Sequence, residues 1–92
     1  MNNKLFRTPA TNVLECIKRN EIALKGERFC PLSQVEMAED IGISKGTLQR
    51  ASRALKDEGF IVRKSHSKWA LTDKGEKTVA VLKRLWATCE EA

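Results

Sequence analysis

QVEMAEDIGISKGTLQRASRAL, residues 34–55, decides the fold of this chain. Val35, Met37, Ala38 and Ile41 precede Gly42, and Ile43, Leu48, Ala51 and Leu55 follow it. Steps of three and four between apolar residues predict helices, and a glycine between them predicts that one stops and a second begins. A small residue on the inner side, a glycine turn and an apolar face on the second helix suit two helices packed at a steep angle. Such packing turns the outer face of the second helix away from the body. Here that face is basic.

The flanks support the division. Ser33 with Glu36 has the spacing of a capping box, and Ser44 is a hydroxyl cap for the following helix. Gly59 stands where a left-handed stop is expected. Phe60, Ile61 and Val62 then bring a β-branched and aromatic character, Ser65, His66 and Ser67 form a polar tip, and residues 68–72 alternate again. Two short strands around a polar turn read as a β-hairpin. Thr72, Gly75 and Glu76 open a last helix, whose stripe is Val79, Leu82, Leu85, Trp86 and Cys89. Upstream, Thr8 with Pro9, or Thr11, starts a first helix with Val13, Cys16, Ile17 and Leu24 at helical spacing; Gly26 is expected to stop it. Residues 29–32 read as a short extended connector, limited by Pro31 to an edge or a strand start.

Charge separates along the chain. The net charge is +5 overall: +3 over residues 1–32, −3 over 33–43, +5 over 44–68 and zero over 69–92. The second helix of the pair and the hairpin therefore carry a net charge equal to that of the whole protein. A clustered basic surface attracts polyanions, of which nucleic acid is the commonest in the cytosol.

Composition narrows the remaining classes. At 92 residues, 41% of them hydrophobic and 32% charged, one globular domain with one small core is expected, without a separate catalytic or ligand-binding domain. No apolar run approaches membrane-spanning length, and residues 1–12 lack a signal-peptide core, so a cytoplasmic, nucleoid-associated location is expected. Cys16, Cys30 and Cys89 are widely spaced and odd in number, which argues against a disulfide framework and against zinc. Cys16 reads as a small buried hydrophobe. His66 has no cysteine or carboxylate at ligand spacing, so no metal is expected. No paired-carboxylate cleft, cysteine–histidine pair or glycine-rich phosphate loop points to an enzyme, and no cofactor is expected.

The order helix, helix, helix, strand, strand, helix is that of a winged helix. Residues 33–75 resemble the winged helix-turn-helix of small prokaryotic regulators of the MarR and PadR type. The resemblance rests on Ala38, Gly42 and Ile43 at the turn, the run from Leu55 to Ile61, and Leu71 to Gly75 after the hairpin. It implies a mostly α fold with a small β-hairpin as a single domain over residues 1–92: a helix-turn-helix at 33–58, a wing at 60–72 and a C-terminal helix at 73–90. Full MarR-type proteins are longer, with added helices that build a dimer and often a small-molecule pocket. This chain stops one helix beyond the wing, so no small-molecule ligand is expected.

With Leu48 facing inward, steps of about 100° per residue put Gly46, Gln49, Arg50 and Arg53 on the outer side of the second helix. Arginine can grip guanine O6 and N7 with two hydrogen bonds, and glutamine adenine N6 and N7. Gln49, Arg50 and Arg53 are the expected base readers, with Gly46 allowing close approach; Arg53 has Asp57 as an alternative partner at i,i+4. Ser44, Lys45 and Thr47 near the helix start, and Arg63, Lys64, His66 and Lys68 on the wing, are expected at the DNA backbone. Val79, Leu82, Trp86 and Cys89 form a seam spaced three, four and three. It packs either on the chain's own first helix or on a second copy, with Leu5 and Phe6 joining.

The function these readings lead one to expect is sequence-specific duplex-DNA binding by a regulator, a repressor acting on an operator as a homodimer. A replication, partition or excision accessory protein is the alternative among DNA-binding roles. A winged helix used for protein contact is the alternative outside them.

Overall fold

The computed structural model describes residues 6–90. Its elements run α1 (Pro9–Arg19), β1 (Ile22–Leu24), β2 (Glu27–Phe29), α2 (Gln34–Ile41), α3 (Lys45–Asp57), β3 (Ile61–Ser65), β4 (Lys68–Leu71) and α4 (Asp73–Glu90). The expected helix pair, wing and last helix are present; a second hairpin, β1–β2, stands before them.

That hairpin corrects the reading of the first helix. Thr8 caps α1 in a reciprocal box with Thr11, and Pro9 takes the first turn. The helix ends at Arg19, well short of Gly26, and Asn20 Nδ2 donates back to the Cys16 carbonyl at 2.9 Å. Lys25 and Gly26 then form a two-residue turn with φ of +52° and +77°. Positive φ at both positions matches strand twist and joins antiparallel strands directly. Leu24 therefore leaves the helical stripe and is 55% exposed. The hairpin returns Phe29 and Cys30 to the body, where both are buried. An isolated antiparallel bridge, Cys30 N to Trp69 O at 2.7 Å and Trp69 N to Cys30 O at 3.1 Å, ties the connector to β4.

The helix pair forms as its sequence dictates. Ser33 and Glu36 make a full capping box on α2, and Gly42, at φ +83°, ends it in the left-handed region. Ser44 Oγ accepts from Thr47 N at 3.1 Å to cap α3. Leu48, Ala51, Ser52 and Leu55 face inward from α3, while Val13, Leu14, Cys16 and Ile17 face them from α1, and Met37 and Ala38 from α2. Trp69 and Ile61 from the wing close this core. After α3, Gly59 N and Phe60 N bond back to Lys56 O and Leu55 O, so the chain reverses at once into β3.

Strands β3 and β4 pair antiparallel from Ile61↔Leu71 to Ser65↔Lys68, with a register shift between Arg63 and Ser65 that leaves Lys64 at a bulge. At the foot of the wing Gly75 packs so closely that a Cβ there would lie 2.1 Å from the Phe60 carbonyl oxygen. Only glycine lets α4 start against the turn that joins α3 to β3.

Part of the α4 stripe is covered by the chain itself. Trp86 is 4% exposed; its Nε1 donates to the Phe6 carbonyl at 2.9 Å, and the Arg7 guanidinium lies 3.9 Å from its ring centroid. Val79 is buried in the core and Leu82 packs against it. Lys18 of α1 pairs with Glu76 of α4 at 3.1 Å. Val79, Leu82 and Trp86 of this seam therefore pack on the chain's own body. Leu85 separates from it at 36% exposure and joins Val81, at 55%, on the outer face. Cys89 is half-buried, and Leu5 lies outside the described residues.

Candidate nucleic-acid interface

Burying Leu48, Ala51 and Leu55 leaves the other side of α3 in solvent. There Gln49, Arg50 and Arg53 are exposed, as is Gly46. Together with Gln34, Ser52, Lys56, Arg63 and Trp69 they line one groove of about 430 Å³ between α3 and the wing. Four cations, Arg50, Arg53, Lys56 and Arg63, share it, and among the described residues no carboxylate lines it. Two elements separated in sequence thus contribute to one positive surface.

Each side chain has a local reason for its place. Arg50 Nη2 donates to Thr47 Oγ1 at 3.3 Å, and a Cβ on Gly46 would sit 3.8 Å from Arg50 Nη1. The arginine therefore lies back along the helix over the glycine. Gln49 Nε2 donates to Gln34 Oε1 at 3.3 Å, linking the first residue of α2 to the face of α3. Thr47 and Ser44 are engaged in the cap: Ser44 Oγ donates to Thr47 Oγ1 at 2.9 Å. Lys45 is exposed in the first turn of α3. Among the described residues no ion pair joins Arg53 to Asp57, so the alternative partner is not taken.

The wing divides its cations between two faces. Arg63 turns into the groove, its guanidinium 4.7 Å from the Trp69 ring centroid, and donates to Ser65 O at 3.3 Å and His66 O at 3.2 Å. Its Nη2 also lies 3.3 Å from His66 Nδ1, so arginine and histidine organise the tip together. Lys64 and Lys68 point elsewhere. Their ammonium groups meet Glu27 of β2 at 2.7 Å and 3.4 Å. Lys64 is the nearer cation and the larger cause that holds the Glu27 carboxyl below the usual carboxylate range.

The acidic run of α2 lies away from the groove. Asp40 pairs with Arg19 of α1 and accepts from Cys16 Sγ at 3.2 Å. Burial first, and that bond to Asp40 next, push the Cys16 thiol up to about 12. Among the described residues no three His, Cys, Asp or Glu side chains are placed to hold a metal ion. No helix among them is long and apolar enough to cross a membrane.

The sequence reading placed Gly46, Gln49, Arg50, Arg53 and Arg63 where the structure assembles them. It missed Lys56, Gln34 and Ser52. Lys56 was within reach, since it follows Arg53 by three and Gln49 by seven and so continues the same helical face. Gln34 carried no signal, because only the angle between α2 and α3 brings it to Gln49.

Residues 30–62 match the family model described as winged helix-turn-helix DNA-binding. Proteins described as HTH-type transcriptional regulators from Bacillus cereus, Bacillus thuringiensis and Bacillus anthracis are similar, at 36% identity over 59 residues. The match takes in 61% of this chain and spans 40% of the length of those relatives. In shape the chain is similar to the reduced, Fe(II) form of the CO-sensing protein from R. rubrum, with a TM-score of 0.69 at 18% identity over 88% of this chain and 37% of that one. It is equally similar to a CRP/FNR-family transcriptional regulator from Thermus thermophilus, with a TM-score of 0.69 at 17% identity over 88% of this chain and 43% of that one. The fold is a winged helix-turn-helix.

Proposed function

We propose that this winged helix-turn-helix binds duplex DNA sequence-specifically and serves as a transcriptional repressor that occupies an operator. The observation that carries the reading is the groove shared by Arg50, Arg53, Lys56 and Arg63 on the outer side of α3 and the facing side of the wing, with no carboxylate among its lining residues. A helix of this kind enters the major groove with its N-terminal half first. Gln49, Arg50 and Arg53 then read base edges, and Lys45, Lys56 and the amide groups at the start of α3 meet phosphate. Arg63 and His66 bring the wing tip to the adjacent backbone or minor groove. The comparison proteins described as transcriptional regulators support the regulatory role.

A homodimer completes the proposal. With Val79 and Trp86 covered inside the chain, its contact falls on the outer face of α4, at Val81 and Leu85. Two copies double the readout and call for an inverted repeat, its half-sites about one helical turn apart.

Selection of bound sequences from random duplex DNA tests this directly. The reading expects an enriched motif with two-fold symmetry, and Arg50→Ala should lose about 1–3 kcal/mol of preference for it over random DNA. An absence of enrichment, or equal effects of Arg50→Ala on selected and random duplexes, would remove the reading role of α3.

A further inference from the structure

Glu27 opens β2 and faces the wing from the hairpin that the sequence reading did not foresee. Its two carboxylate oxygens accept from Lys64 Nζ at 2.7 Å and Lys68 Nζ at 3.4 Å, contacts that cross 37 and 41 residues of chain. The bulge between Arg63 and Ser65 helps to set this geometry, because it frees Lys64 from a register partner. Lys68 is steadied further by the Phe29 ring, 4.8 Å from its ammonium. The outcome is an asymmetric wing. Arg63 on the groove side has no carboxylate partner among the described residues, whereas the two lysines on the other side share one anion.

We propose that Glu27 is a built-in counter-ion that competes with DNA phosphate for Lys64 and Lys68, and so limits the sequence-independent part of DNA affinity. This rests on the DNA-binding reading above. Exposed ion pairs are weak and screened, so phosphate can displace the carboxylate; Glu27 then tunes affinity without abolishing it. Affinity for phosphate grows with each cation free to release counterions from the duplex. A purely architectural role for Glu27 is redundant here. The wing backbone is already fixed by the β3–β4 ladder and by the Cys30–Trp69 bridge.

The experiment is fluorescence anisotropy with a random-sequence duplex over a series of salt concentrations, on wild type, E27Q, the K64Q/K68Q pair, and all three changes combined. Glutamine keeps the size of the side chain, and E27A serves as a second variant that removes the charge. The proposal expects E27Q and E27A to bind several-fold more tightly at low salt. Their plots of log K against log salt should be steeper by up to about 1.8, roughly 0.9 for each cation released. K64Q/K68Q should cancel that gain in the E27Q background and cost less in the wild-type background, a coupling that identifies the partners. Unchanged or weaker binding by E27Q and E27A would overturn the counter-ion role while leaving DNA binding intact. Failure of wild type and every variant to bind any duplex at low salt would overturn the DNA-binding reading, and the counter-ion role with it.

Discussion

Gly46, one turn before Arg50, lies beneath its guanidinium, which reaches Thr47 Oγ1 at 3.3 Å; an added Cβ would stand 3.8 Å from Arg50 Nη1, an ordinary contact. Gly46→Ala should therefore leave stability nearly unchanged or raise it, since alanine is the better helix former by about 1 kcal/mol. If the bare surface matters for DNA approach, the same change weakens binding; a melting curve and a binding isotherm on one sample separate the two. Gly75 is glycine for a harder reason. A Cβ would collide with the Phe60 carbonyl at 2.1 Å, so Gly75→Ala must displace α4 from the turn between α3 and β3 and should lower stability by about 1–3 kcal/mol, read from denaturant unfolding. The cysteines divide on access and ionisation. Cys16 is buried with its thiol raised to about 12, Cys30 is buried and raised by the same cause, and Cys89 is half-buried. Since the thiolate is the reactive form, mass spectrometry after brief alkylation at neutral pH should find Cys89 modified first, with Cys16 and Cys30 reacting only on unfolding.

Among the elements, the helix pair was legible in the sequence because each boundary carries its own chemistry. Ser33 with Glu36, Gly42, Ser44 and Gly59 are cap and stop residues whose side chains or φ angles satisfy helix ends, and each acts where its position implies. The β1–β2 hairpin was hidden for the opposite reason. Its turn is Lys25 and Gly26, and lysine rarely adopts the positive φ found there, so only Gly26 signalled, and a lone glycine also ends helices. The direction of the α4 stripe was hidden too, because spacing cannot say whether a seam meets its own chain or another. Trp86 settles its own case by bonding to the Phe6 carbonyl under the Arg7 guanidinium. Trp86→Ala should thus cost about 3–5 kcal/mol in unfolding experiments through the lost core contact. The α2 cap offers a pH test. Bonds from the Ser33 amide and hydroxyl hold the Glu36 carboxyl below its ordinary range. The folded-state value lies below the unfolded one, so the contribution is present above the unfolded carboxylate range and lost as pH falls through the folded value. Ser33→Ala should lower stability by about 1 kcal/mol at neutral pH, and less once acid has protonated Glu36.

At the scale of the whole molecule, a charge division seen along the sequence becomes a division in space. The acids of α2 turn partly toward α1 through Arg19 and Asp40, while the cations of α3 and the wing meet across one groove. The candidate site was legible as far as a single helix could carry it, which is why Gln49, Arg50 and Arg53 were anticipated. Contributions that depend on how elements meet were not, and they include Gln34 beside Gln49 and Glu27 beside Lys64 and Lys68. If α4 joins two copies, Leu85→Asp should halve the mass seen by light scattering without lowering the melting temperature by more than a few degrees. Unchanged mass would move the dimer contact elsewhere or remove it. The central claim, that the α3–wing groove is a phosphate- and base-binding surface, is tested most directly by the salt dependence of duplex binding for wild type and a Lys56→Ala/Arg63→Ala variant. The expected result is a linear fall of log K with log salt for wild type and a slope shallower by up to about 1.8 for the variant, at roughly 0.9 per neutralised phosphate. Binding that ignores salt, or a variant that matches wild type, would contradict it.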